Sequence, residues 1–168
     1  QGRRGTRRLM RLGLGSYACA WSIGVPGYGA ATNLHAAGFI ERAGSLGLKV
    51  VQIADNIPLG AQTAGQIEGI RAAASRAGIE LELGTRGIFP RHVERFIRLC
   101  GDLDARLLRV VVDTADHHPS HQEVISMVRT CLPTLAASGV TLAIENHGRF
   151  SSRTLAAIIE QIGSSFVG

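Results

Sequence analysis

Short apolar runs alternate with helical stripes along almost the whole chain, and that alternation restricts the fold more than anything else in the sequence. Strand candidates fall at 12–17, 49–55, 79–86, 107–113 and 141–147, with helix candidates near 34–46, 64–77, 91–101, 120–138 and 152–162. Strand starts at 12, 49, 79, 107, 141 and about 166 recur every 25 to 37 residues, the period of a βα unit. Gly47, Gly78 and Gly139 stand just after three of the helices, where a left-handed residue ends a helix. Strict alternation implies a parallel sheet, either doubly wound or closed as a (β/α)8 barrel.

Side-chain parity separates the two. Val51 and Ile53 oppose Gln52, Ala54 and Asn56; Ile79, Leu81 and Leu83 oppose Glu80, Glu82, Gly84 and Arg86. Leu108, Val110 and Val112 oppose Arg109, Val111 and Asp113, while Leu142 and Ile144 oppose Thr141, Ala143, Glu145 and His147. Each strand has one aliphatic face and one face mixing small with polar residues. A doubly wound sheet meets helices on both faces and wants both apolar. A barrel needs one face for helices and one for its interior, so the parity predicts an α/β TIM barrel.

A whole barrel takes about 250 residues, and this chain has 168. The expectation is an incomplete barrel of about five βα units plus the start of strand six, 10–168 being the N-terminal part of a single barrel domain. Its open edges would be completed by missing sequence or by another copy of the chain, making a homo-oligomer. No apolar run is long enough for a membrane span.

The charge of +5 suggests a nucleic-acid partner until it is located. Arg3, Arg4, Arg7 and Arg8 all precede Met10, and without residues 1–9 the count is 14 cations against 13 acids. Residues 1–9 read as a basic extension or upstream sequence, with a signal peptide running on to Val25 as a second reading. The near-neutral body does not indicate a domain-wide phosphate-binding face, so neither nucleic acid nor membrane is an expected partner. Cys19, Cys100 and Cys131 are too far apart for a metal or redox motif. Cys100 and Cys131 lie on apolar helical stripes, and free thiols fit a cytoplasmic protein.

Catalytic groups of a barrel gather at the C-terminal strand ends. Glu145 points inward there, where a carboxylate can bind a hard divalent cation or remove a proton beside a carbonyl. The other reading is an inward ion pair with Arg109. His147 shares that face, one step nearer the mouth. Arg86 is placed where a guanidinium suits a substrate phosphate or carboxylate. Glu82 and Arg109, mid-strand, read as a buried ion pair. The run from Asp116 to His121 holds three histidines, of which His118 is the candidate for substrate, although Ser120 reads as a helix cap. The segment 24–29 lacks the Lys-Ser/Thr of a phosphate loop and reads as a loose loop over the mouth, with Tyr17 and Trp21 either an apolar wall for a small polyol or packing for the loop itself.

Four segments carry a family resemblance: 51–59 (Val51-Gln52-Ile53-Ala54-Asp55-Asn56-Ile57-Pro58-Leu59), 78–84 (Gly78-Ile79-Glu80-Leu81-Glu82-Leu83-Gly84), 108–111 (Leu108-Arg109-Val110-Val111) and above all 139–147 (Gly139-Val140-Thr141-Leu142-Ala143-Ile144-Glu145-Asn146-His147). With these the chain resembles the xylose isomerase-like (β/α)8 superfamily, in its sugar phosphate isomerase/epimerase branch. The resemblance implies a metal-dependent isomerase or epimerase of a sugar, sugar phosphate or related polyol, working through proton abstraction alpha to a carbonyl. It maps the metal-binding, proton-transferring glutamate onto Glu145 and substrate contact onto His147. The remaining ligands of the divalent ion (Mn, Mg, Co or Zn) would lie after Gly168, so these residues alone would not bind it fully and would be inactive. The same superfamily holds inosose dehydratases and apurinic endonucleases; the latter would need earlier-strand histidines, where this chain has Asn56, Arg86 and Asp113. A non-catalytic oligomeric half-barrel is the alternative of another class.

Overall fold

The structure is a computed structural model that describes residues 11–29 and 32–168, so the basic extension 1–9 lies outside the described residues. Five strands form one parallel sheet in chain order. They are β1 (Gly13–Gly15), β2 (Val50–Ile53), β3 (Glu80–Arg86), β4 (Leu107–Val111) and β5 (Thr141–Ile144). The helices are α1 (Ala20–Ile23), α2 (Ala36–Ser45), α3 (Ala64–Ala77), α4 (Pro90–Asp102), α5 (His121–Ser138) and α6 (Ser152–Ile162). Phe166–Gly168 begins a sixth strand: Leu142 N–H donates to the Phe166 carbonyl at 2.9 Å and Ile144 N–H to the Gly168 carbonyl at 2.8 Å.

Local chemistry sets the helix ends. Thr63 and Gln66 close a reciprocal cap at the start of α3, Ser120 and Glu123 do the same for α5, and Pro90 opens α4 at a position whose N–H has no helical partner. Gly78 and Gly139 end α3 and α5 with φ of 60° and 61°, a conformation that costs an L side chain energy.

The register carries the parity across the sheet. Val51 pairs Leu81, Leu83 pairs Leu108 and Leu108 pairs Leu142, giving a continuous aliphatic layer, while Gln52 pairs Glu82 and Gly84 pairs Arg109 on the other face. Val51, Leu83, Leu108 and Leu142 are wholly buried. A sheet whose spatial order is its chain order, joined by right-handed crossovers, puts all its helices on one side. Consecutive helices from α2 to α6 accordingly touch each other. The inward face is left to Gln52, Glu82, Gly84 and Arg109, which is barrel architecture and not a doubly wound sheet.

Three local expectations are corrected. The first strand ends at Gly15, because Ser16 turns into a 3-10 helix, Ser16–Cys19, where its buried hydroxyl accepts from Ala54 N–H at 2.9 Å and donates to Asn56 Oδ1 at 2.5 Å. The segment 24–29 is a tight turn and not a loose loop. Val25 and Tyr28 form an antiparallel bridge, with Gly24 and Gly27 at φ 133° and 83° supplying the bend. Glu82 and Arg109 do not pair: Gln52 Nε2 donates to Glu82 Oε2 at 3.1 Å, and Arg109 turns to Glu145. Among the described residues no helix is long and apolar enough to cross a membrane.

Candidate active site

The strand ends of β1 to β5 enclose a cavity of about 410 Å³, lined among others by Tyr17, Gln52, Asp55, Arg86, Arg109, Glu145 and His147. That is the size range of small-molecule sites. A larger cavity of about 590 Å³ lies to one side, around Ile23, Leu34, Ile57 and Ile70. It is lined by aliphatic side chains together with His35, Asn56, Gln62 and Gln66 but carries none of the strand-end charges, so the smaller one is the candidate site.

Glu145 follows β5 directly, and its N–H still donates to the Val110 carbonyl at 2.9 Å, so the ladder holds it against β4. His147 N–H then donates to the Glu145 carbonyl at 2.9 Å. This tight turn through Asn146 returns the imidazole to the cavity. The Glu145 carboxylate is ion-paired with Arg109. Arg109 has room for its guanidinium because its neighbour in register is Gly84: a methyl built there would lie 2.7 Å from Arg109 Nη2.

Arg86, at the end of β3, sits 3.6 Å from Asp55 Oδ2 through its Nε, and its Nη1 donates to the Asp113 carbonyl at 3.4 Å. Tyr17 stands over the same pair. Partial desolvation, then the negative charge of Asp55 and a hydrogen bond to it, raise the Tyr17 phenol above its usual range, and Arg86 and Arg109 partly offset that.

Beside the cavity, Asp113 ties two loops together. Its Oδ1 is 3.1 Å from Arg149 Nε, and Arg149 Nη2 donates to the carbonyls of His118 and Pro119 at 2.9 and 3.0 Å. This clasp fastens the β4–α5 loop to the loop that carries Glu145 and His147.

Of the residues singled out from sequence, Glu145, His147 and Arg86 come together in one cavity. His118 does not line it: its side chain is 58% exposed, with Nδ1 3.5 Å from Asp113 Oδ1. Trp21 does not line it either. It lies on α1, largely exposed, with its ring edge-on to Tyr28 at 5.6 Å, so it packs the tight turn instead of the mouth. Sequence reasoning missed Asp55, which lies two residues past the end of β2, where strand parity assigns it to the face away from the cavity; the turn after the strand brings it to Arg86.

Among the described residues no group of three or more His, Cys, Asp or Glu stands together to hold a divalent ion, and Glu145, the best single donor, is engaged by Arg109. The described residues therefore do not make a metal centre by themselves.

No family model matches the chain. It is 31% identical over 161 residues to the 3-oxo-isoapionate decarboxylase of Pectobacterium atrosepticum, a match that takes in 95% of this chain and 57% of that protein. Its structure is similar to that of D-psicose 3-epimerase from Clostridium cellulolyticum H10, solved with D-tagatose: TM-score 0.72, 18% identity, 94% of this chain and 62% of the other. A xylose isomerase domain-containing protein from Salmonella typhimurium LT2 gives a TM-score of 0.67 at 16% identity, over 94% of this chain and 59% of the other. The chain thus spans a little over half the length of the curated relative. The chain shares the TIM-barrel fold of these structures, and carries five successive strand–helix units of it.

Proposed function

We propose that the complete barrel to which these units belong acts on a small keto-polyol by removing a proton from the carbon beside the carbonyl, as a sugar isomerase or epimerase does. The observation that carries this reading is the convergence of Glu145, His147, Arg86 and Arg109 on one cavity at the C-terminal strand ends. Glu145 takes the proton, and the electron pair of the broken C–H bond moves to the carbonyl oxygen as an enediolate. Arg109, fixed between Gly84 and Glu145, sets a positive charge beside the oxygen where that negative charge develops. His147 returns a proton to the same carbon on its other face, or to its neighbour. A divalent ion is proposed only to the extent that Glu145 would be one of its donors.

A second reading is favoured by the 31% identity to a 3-oxo-isoapionate decarboxylase. In a 3-oxo acid the carbon–carboxylate bond breaks instead of a C–H bond. Its electron pair forms the same enolate, carbon dioxide leaves and a proton is added at carbon. Both readings use the same oxygen stabilisation.

The test is to incubate the complete barrel in D2O with a panel of ketoses and 3-oxo sugar acids, following deuterium at carbon and release of carbon dioxide. Deuterium incorporation that Glu145→Gln reduces by about 100-fold or more supports proton abstraction. Carbon dioxide release without exchange on any ketose transfers the assignment to decarboxylation. Neither activity, or activity unchanged in Glu145→Gln, overturns the proposal.

A further inference from the structure

We infer that Tyr17, Asp55 and Arg86 form an anchoring subsite for a carboxylate on the substrate, with Asp55 as the residue that positions the other two. The inference rests on the proposed function and deepens it by naming the substrate class.

The three residues come from two strand ends and the turn after a third, and all line the same cavity as Glu145. Arg86 carries five N–H donors in a planar fork. The structure commits it only to the Asp55 carboxylate at 3.6 Å and the Asp113 carbonyl at 3.4 Å, both long contacts, and its side chain is 37% exposed. A guanidinium held in place but weakly satisfied, with its open side on a cavity, suits a bidentate oxyanion. Asp55 fixes it from behind and also accepts the Tyr17 phenol hydrogen, so one carboxylate holds the cationic fork and the phenol together. Burial and Asp55 keep Tyr17 protonated, so it goes on steadying the carboxylate that orients Arg86. Glu145 and His147 enter from β5, leaving Arg86 to hold the substrate from β3.

The charge balance selects carboxylate over phosphate. Arg86, Arg109 and Arg149 are each matched by an acid, Asp55, Glu145 and Asp113. The mouth has no surplus positive charge and Asp55 opposes any anion there, a phosphate of about −1.5 to −2 more than a singly charged carboxylate. A single negative charge, planar and bidentate, is the better match.

The experiment measures binding by titration calorimetry to the complete barrel, with a ketoaldonate, the neutral ketose of equal carbon number and the corresponding ketose phosphate. The ketoaldonate is expected to bind about 10-fold or more tighter than the ketose, the return on charge-assisted hydrogen bonds. Arg86→Gln abolishes that margin, weakening the ketoaldonate far more than the ketose. Arg86→Lys keeps the charge, loses the fork and retains only part of the margin; it decides the matter if Arg86→Gln fails to fold in a thermal melt. Asp55→Asn loses part of the margin and Asp55→Glu restores it. Equal affinity for ketoaldonate and ketose overturns the subsite. So does tightest binding of the phosphate, or an Arg86 variant that weakens both ligands by the same factor. Binding is read without turnover, so a barrel that exchanges protons on ketoses yet shows no margin keeps its proposed function and loses only this subsite.

Discussion

Gly84 and Arg109 are paired in the register of β3 and β4, and the hydrogen atom in place of a side chain on the first is what lets the second reach Glu145. A methyl on Gly84 would stand 2.7 Å from Arg109 Nη2 and 3.2 Å from the Cα of Ala54. The guanidinium can swing away, but the backbone of Ala54 cannot. Gly84→Ala is expected to cost about 1–2 kcal/mol of stability and to slow proton exchange by the complete barrel about 10-fold or more. A thermal melt and the deuterium assay check the two numbers; unchanged exchange would show that Arg109 is not needed where it lies.

The clasp between Asp113 and Arg149 predicts a coupled pair. Arg149→Met removes the 3.1 Å contact to Asp113 and both carbonyl hydrogen bonds, leaving a mostly buried carboxylate with the exposed His118 imidazole 3.5 Å away in place of a fixed cation. A loss of about 1–3 kcal/mol is expected. Once Arg149→Met is in place, Asp113→Asn should cost little more, giving a non-additive double-mutant cycle. Hydrogen exchange should quicken in 113–120 and 145–151 together, since one contact fastens both loops.

Acid should loosen the packing of α4 on β3. Thr85 is buried and its Oγ1 is hydrogen-bonded to His92 Nε2 at 2.7 Å. Burial, and secondarily Arg95, lower the His92 imidazole below its usual value. The folded state therefore favours neutral His92. Its contribution is complete above the unfolded-state value of about 6.5 and is lost as pH falls from there through the lowered folded value. Melting temperature followed from pH 8 to 5 should fall less steeply in His92→Gln than in the parent.

Thiol chemistry should distinguish one cysteine from the other two. Burial pushes Cys100 up to about 12 and Cys131 up to about 11, while Cys19 is only half-buried. A thiol reagent at pH 8 should modify Cys19 alone in the native protein, and all three after unfolding. Rapid native modification of Cys100 or Cys131, read by mass, would contradict the packing of α4 or α5.

The helices and the fold class were legible because each rests on a local rule. The ranges 64–77 and 152–162 agree with α3 and α6 to the residue, since a side-chain cap and a left-handed glycine bracket each one. The barrel followed from parity, which needs no knowledge of partners. The site was legible only along single strands. Glu145, His147 and Arg86 could be assigned to one end of the sheet because each lies at or just past the end of a strand. That Arg109 meets Glu145 and not Glu82 depends on the stagger between β3, β4 and β5, and no residue on a single strand reports it. Trp21 was misplaced for a similar reason: Ser16 ends β1 through contacts with Ala54 and Asn56, about 40 positions away.

The sheet order β1-β2-β3-β4-β5 has a kinetic meaning. Every strand docks on the one synthesised just before it, so a chain leaving the ribosome never waits for a distant partner before adding its next unit. The growing edge is always the newest strand, and the bridge between Leu142 and Val167 shows β5 already serving as template for the following segment. Among the described residues the outer edge of β1 carries no partner strand, and its length of three residues offers a stray chain too short a ladder to grip.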